Sequence, residues 1–209
     1  MDRWLTAFNH ALARPLRGSA RAFVLALLIP LGIAAFAPLW TLKMAAPQYP
    51  AGLELRIYPY TVEGDIQEVN TLNHYIGMSP IDRAALSDLD WLPFAIGAAG
   101  LLILRVAAIG DLRALVDLVA LFTYFGVFSM ARFAYTLYVF GHNLKPDAPF
   151  SVEPFTPVVL GTGQVANFTI TSLPATGALA LSVVGVALLG VLVASLVGAV
   201  SARVEPAAA

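Results

Sequence analysis

Four stretches of the chain stay apolar long enough to cross a bilayer: near 22–42, 91–110, 114–141 and 176–200. A hydrocarbon layer about 30 Å thick takes about 20 helical residues, so the pattern predicts four spanning helices. Between the first two, the alternation in Leu53-Glu54-Leu55-Arg56-Ile57-Tyr58 predicts a short half-exposed strand. A helix is expected from about Ile66 to Ile76, with Asp65 as N-cap, Glu68 returning the bond, and Gly77 as the left-handed residue past its end. Val69, Leu72 and Ile76 share one face of it, and Gln67, Asn70, Thr71 and His74 the other. Ser79-Pro80 reads as the start of a second short helix. In the later outer segment, Gln164 to Thr171 has strand character and is expected to pair with Leu53–Tyr58.

The implied order is a tail 1–21, span 22–42, outer segment 43–90, span 91–110, turn 111–113, span 114–141, outer segment 142–175, span 176–200 and tail 201–209. The fold class expected is an all-α integral membrane four-helix bundle with a small α/β extracytoplasmic cap. Gly190, Ala194 and Gly198 in the last span suit close helix packing. Pro30 and Pro38 predict kinks in the first, and Trp40, Trp91, Tyr138 and Phe140 suit the outer interface.

Composition agrees with the pattern. The chain is 59% hydrophobic and 12% charged, against about 45–50% and about 25% in soluble domains. A net charge of −1 leaves no field to hold nucleic acid. Absence of Cys removes disulfides and thiolate metal sites. The first apolar run exceeds a signal-peptide core, and Pro38 follows the small-x-small site at Ala35-Phe36-Ala37, so an uncleaved span is expected. Arg3, Arg14, Arg17, Arg21, Arg105, Arg113 and Arg203 fall on one side, against Lys43, Arg56, Arg83 and Lys145 on the other. The positive-inside rule then puts both termini in the cytoplasm.

Two groups of residues carry candidate chemistry. Arg132 lies about nine residues below the expected end of its span, where a charge must face protein, water or a partner. With Tyr135 it forms a polar stripe, fit for an anion, a partner carboxylate or an interhelical anchor. Outside, His74, Met78 and His142 offer imidazole and thioether donors, which suit copper, Cu(I) above all, in an oxidising compartment. Each also has an ordinary packing or hydrogen-bonding explanation. Haem held by His74 and His142 is the weaker alternative. No nucleophile elbow, His-Glu-x-x-His or phosphate loop is present.

The runs Tyr49-Pro50-Ala51-Gly52-Leu53 and Gly64-Asp65-Ile66-Gln67-Glu68-Val69-Asn70-Thr71-Leu72-Asn73-His74-Tyr75-Ile76-Gly77-Met78 resemble the outer loop of four-span bacterial membrane proteins associated with copper-handling respiration, in particular nitrous oxide reductase accessory systems. The resemblance implies envelope metal handling or assembly, with Asn70, Asn73, His74 and Met78 as the positions concerned. The leading expectation is a non-enzymatic accessory or subunit protein presenting this motif to copper or to a membrane or periplasmic respiratory metalloprotein. A purely structural subunit, and a small transporter or membrane enzyme using Arg132, are the alternatives.

Overall fold

The computed structural model describes residues 6, 9–10, 12–82, 84–165 and 167–204. Arg3 and Arg83, counted in the charge balance, lie outside the described residues, as do parts of both tails. Helices α1 (Gly18–Ala26) and α2 (Leu28–Phe36) form the first span, α4 (Leu92–Ile109) the second, α5 (Leu112–His142) the third and α6 (Thr176–Val204) the fourth. Each is long and apolar enough to cross a membrane, which marks a multi-pass membrane protein. Between spans lie strands β1 (Trp40–Ala46), β2 (Tyr49–Ile57), β3 (Val62–Gly64), β4 (Gly161–Val165) and β5 (Phe168–Pro174), with helix α3 (Ile66–Tyr75) after β3.

These elements divide into two compact units. One comprises Met1–Gly32, Ala95–Phe125 and Leu181–Ala209; the other comprises Ile33–Phe94 and Gly126–Ala180. In the first unit each span buries one stripe: Val24, Leu27 and Leu31; Ile96, Ala99, Ile103 and Val106; Leu115, Leu118 and Val119; Val184 and Leu188. Most of the remaining span surface is exposed apolar side chain, as lipid contact requires. The first span is interrupted at Leu27, whose N–H turns back to Val24 O at 3.1 Å. Pro30 thereby falls in the opening turn of α2, where its missing N–H costs no helical bond.

At the far end of α4, the Arg21 guanidinium donates to Ala107 O at 2.6 and 2.9 Å and to Ala108 O at 3.0 Å. A cation is favourable there, against the negative end of the helix dipole. Gly110 turns the chain at φ 71°, with the Arg21 side chain packed where a Cβ would sit.

The second unit corrects the expected fold class. It is not a small cap on a helical bundle but contains a single five-stranded antiparallel sheet, in the order β3-β2-β1-β5-β4. Its central strand begins at Trp40, inside the apolar run assigned to the first span. Helix α2 stops at Phe36 because Pro38 bars the helical conformation at Ala37. Beyond it, Trp40, Leu42 and Met44 alternate with Thr41, Lys43 and Ala45, a period of two. Leu53–Tyr58 and Gln164–Thr171 do not pair with each other, since β1 lies between β2 and β5.

One face of the sheet is apolar. Leu53, Leu55, Val62 and Val69 are buried together, with Leu42, Met44, Ile57, Ile66 and Leu72 against them, so α3 covers this face. Each such side chain contributes about 1.5–3 kcal/mol on burial. The opposite face carries Lys43, Glu54 and Arg56. Arg56 Nε donates to Glu54 Oε1 at 2.6 Å, and this bond holds the Glu54 carboxyl below its usual range, against desolvation, which raises it.

Two local expectations also change. Asp65 precedes α3, but its carboxylate makes no capping bond and instead accepts Glu54 N–H at 2.8 Å, while Asp65 N–H returns to Glu54 O at 3.0 Å. No helix starts at Ser79-Pro80; a turn and a 3-10 segment, Ser87–Leu89, occupy that stretch.

Trp40 is buried rather than an interfacial anchor. Its indole N–H donates to Ser172 Oγ at 2.7 Å, and Ser172 donates to Val159 O at 2.8 Å, tying β1, β5 and the preceding loop. Ser172→Ala takes the partner from the buried Trp40 N–H and is expected to cost about 1–3 kcal/mol, read from denaturant unfolding in detergent; an unchanged midpoint would remove this relay from the fold's supports.

Candidate functional site

The Asn70–Met78 motif occupies α3 and the turn after it. Most of its polarity is spent on the chain itself. Asn70 clamps Ile81 from both sides, accepting its N–H at 2.7 Å and donating to its carbonyl at 3.2 Å. Asn73 is buried and its side-chain amide donates to Ser79 O at 3.3 Å, while its backbone carbonyl accepts Met78 N–H at 2.8 Å. These two amides hold the 77–81 turn against the helix.

A second strap docks on the same end of α3. Lys145 N–H donates to Gly77 O at 2.8 Å, and Phe150 N–H to Tyr75 O at 3.0 Å, with the Tyr75 and Phe150 rings 6.0 Å apart. Gly77 has φ 79°, and a Cβ there would meet Lys145 O at 2.7 Å, so glycine serves both the helix stop and this close approach.

Between turn and strap lies a cavity of about 200 Å³ lined by Asn70, His74, Gly77, Met78, Pro80, Lys145, Asp147 and Ala148. His74, Lys145 and Asp147 are exposed; Met78 is half-buried. His74 and Met78 are thus brought to one pocket. His142 is not among its lining: its ring stacks on Tyr138 at 3.8 Å, with Nδ1 2.9 Å from Tyr138 O. Of the three candidate ligands, His74 and Met78 share this cavity and His142 does not line it. Lys145 and Asp147 are pocket residues the sequence did not single out, because they reach α3 only through the strap.

Chemically, the pocket offers one imidazole and one thioether, a pair that suits Cu(I) with open positions left. A single carboxylate beside an ammonium is a poor set for a hard cation, which takes 6–8 oxygens. Among the described residues no three His, Asp or Glu side chains gather at one point.

Arg132 is half-buried, its guanidinium carbon 5.5 Å from the Tyr135 ring centroid, within cation–π range. Helix α5 has 31 residues, or about 46 Å at about 1.5 Å each, longer than the about 30 Å of hydrocarbon. Around Arg132, Phe128 meets Trp91, just before α4, at 5.4 Å, and Phe133 meets Trp40, at the start of the sheet, at 5.1 Å.

Compared with protein families, curated proteins and solved structures, the chain finds no match.

One outcome follows from this geometry. Asn70→Ala should destabilise the unit by about 1–3 kcal/mol and speed amide hydrogen exchange at Ile81; unaltered exchange there would mean that the clamp is idle.

Proposed function

We propose that this protein is a non-enzymatic accessory or subunit protein of a bacterial inner membrane, both termini cytoplasmic, whose extracytoplasmic unit hands Cu(I) to, or receives it from, a respiratory metalloprotein. The observation that carries the reading is the meeting of His74 and Met78 in one cavity between α3 and the 145–150 strap. Two soft donors with open coordination positions make an exchangeable site, since a partner can supply the remaining ligands. The cargo's identity rests on that donor chemistry and on the resemblance of residues 49–53 and 64–78 to copper-respiration accessory proteins. The orientation rests on the distribution of Lys and Arg, with Arg14, Arg17, Arg21, Arg105 and Arg113 flanking one end of the spans.

The purely structural subunit keeps a specific support: Asn70 and Asn73 are spent on loop closure, which explains that part of the motif with no ligand at all. Titration of the detergent-solubilised protein with Cu(I) against a competing chelator separates the readings. Wild type should compete, His74→Ala and Met78→Ala should each weaken binding about tenfold or more, and His142→Ala should bind as wild type. Absence of competition by wild type, or equal binding by the first two variants, leaves the structural subunit, which should then co-purify with a stoichiometric partner.

A further inference from the structure

The end of the first span decides which end of the sheet lies toward the bilayer. That span, Gly18–Phe36, has 19 residues, or about 28 Å at about 1.5 Å each, so its whole length is needed for about 30 Å of hydrocarbon. Just beyond it the chain is pinned by backbone bonds. Leu39 N–H donates to Ile57 O at 2.7 Å and Ala175 N–H to Leu39 O at 2.9 Å, which sets the last residues of β2 and β5 beside the span end. The β2–β3 turn at 58–61 and the start of β4, where Gly161 faces Ser172, fall at this same end. The β1–β2 turn at 47–48 falls at the other, since β1 between them has seven residues, or about 20 Å at about 3.3 Å each.

Exposed apolar side chains follow the same division. Among the described residues of the sheet and its turns, 40–64 and 158–174, the large hydrophobic side chains left exposed are Tyr60 at 48%, Leu160 at 64% and Leu173 at 48%. All three sit at the span end. At the opposite end Pro47, Gln48 and Asn167 are exposed. Tyr60 is held in place by its turn: Pro59 is fully buried, Tyr58 N–H donates to Thr61 O at 2.8 Å, and the Tyr58 ring lies 5.9 Å from that of Tyr60. The apolar surface continues onto the spans themselves, through Phe36 at the end of α2 and Leu179 in the opening turn of α6, both exposed.

We propose that Tyr60, Leu160 and Leu173 form a lipid-contact surface that seats this end of the sheet in the boundary between headgroups and acyl chains. Tyrosine suits that depth, because its ring takes apolar surroundings while its hydroxyl stays with water and headgroups. Leu160 and Leu173 remove apolar area from water by the same contact. Lipid is the occupant because the surface adjoins the points where the chain leaves α2 and enters α6, and continues their exposed apolar side chains. The assignment rests on the helices being membrane spans and not on the copper reading. Trp40, which the sequence placed at the interface, is buried, and Tyr60 takes that role.

The chain has no Cys, so a spin label can be placed at a single chosen position. Tyr60→Cys, Leu160→Cys and, for the far end of the sheet, Gln48→Cys are labelled in the full chain and reconstituted in nanodiscs of phosphatidylcholine and phosphatidylglycerol. Relative to a water-soluble nickel chelate, oxygen, which concentrates in lipid, should collide several-fold more with labels at positions 60 and 160 than with the label at position 48. An equal ratio at all three positions overturns the proposal. Exclusion of both reagents from positions 60 and 160 also overturns it, since protein would then cover the surface. Tyr60→Trp, which keeps an aromatic ring, decides the matter if the Cys variants fold poorly: its added emission should be quenched by lipid brominated on the upper acyl chain, and unquenched emission overturns the proposal.

Discussion

A chain that leaves a bilayer must at once find partners for backbone groups that the helix no longer serves. Here the unit that holds the sheet depends on how Pro38 and Leu39 meet that demand. Leu39 N–H donates to Ile57 O at 2.7 Å, and its carbonyl accepts Ala175 N–H at 2.9 Å; Pro38 O accepts Gly177 N–H at 2.8 Å. Three elements, β1, β2 and the start of α6, are thereby fixed to two residues. Gly177 is required at that point, because a Cβ would meet the carbonyls of Ala37 and Pro38 at 2.8 and 2.9 Å. Register follows from this junction: once Trp40 faces Ile57 and Pro174, the pairs with β5 are set as far as Ala45 and those with β2 as far as Met44, after which the β2 register shifts.

The spans were legible from length and hydropathy because lipid contact demands an unbroken apolar run, and little else produces one. The sheet was mostly hidden for the same reason. Trp40, Leu42 and Met44 continue the apolar run of the first span, and their alternation with Thr41 and Lys43 is outweighed by the twenty residues before them. Pro38 was the available signal: a proline ends a helix more often than it kinks one near its end. Lys145 and Asp147 carried no signal, since their place beside His74 depends on a strap fixed by backbone bonds to Gly77 and Tyr75.

Arg132 carries a signal with two readings. A charge nine residues inside a helix end is costly only where those nine residues lie in hydrocarbon, and the contacts of Phe128 with Trp91 and of Phe133 with Trp40 set this stretch of α5 beside the sheet and the start of α4. In the Asn70–Met78 motif the polar density likewise had two origins. Its amides close a turn, while its imidazole and thioether are left facing the cavity. Only the latter pair is available to a ligand, and it is smaller than the motif that drew notice.

The strand order sets a schedule for biogenesis. The meander β1-β2-β3 is local and can pair as soon as residues 40–64 are synthesised, whereas the partner of Lys43 in β5 is Thr171, synthesised roughly 130 residues later. Through that interval one side of β1 is an open edge, the kind that recruits foreign strands. Because β5 runs directly into α6, insertion of the last span is what draws the closing strand into place. A chain stalled or truncated before α6 would therefore present a half-built sheet whose central strand keeps one edge open.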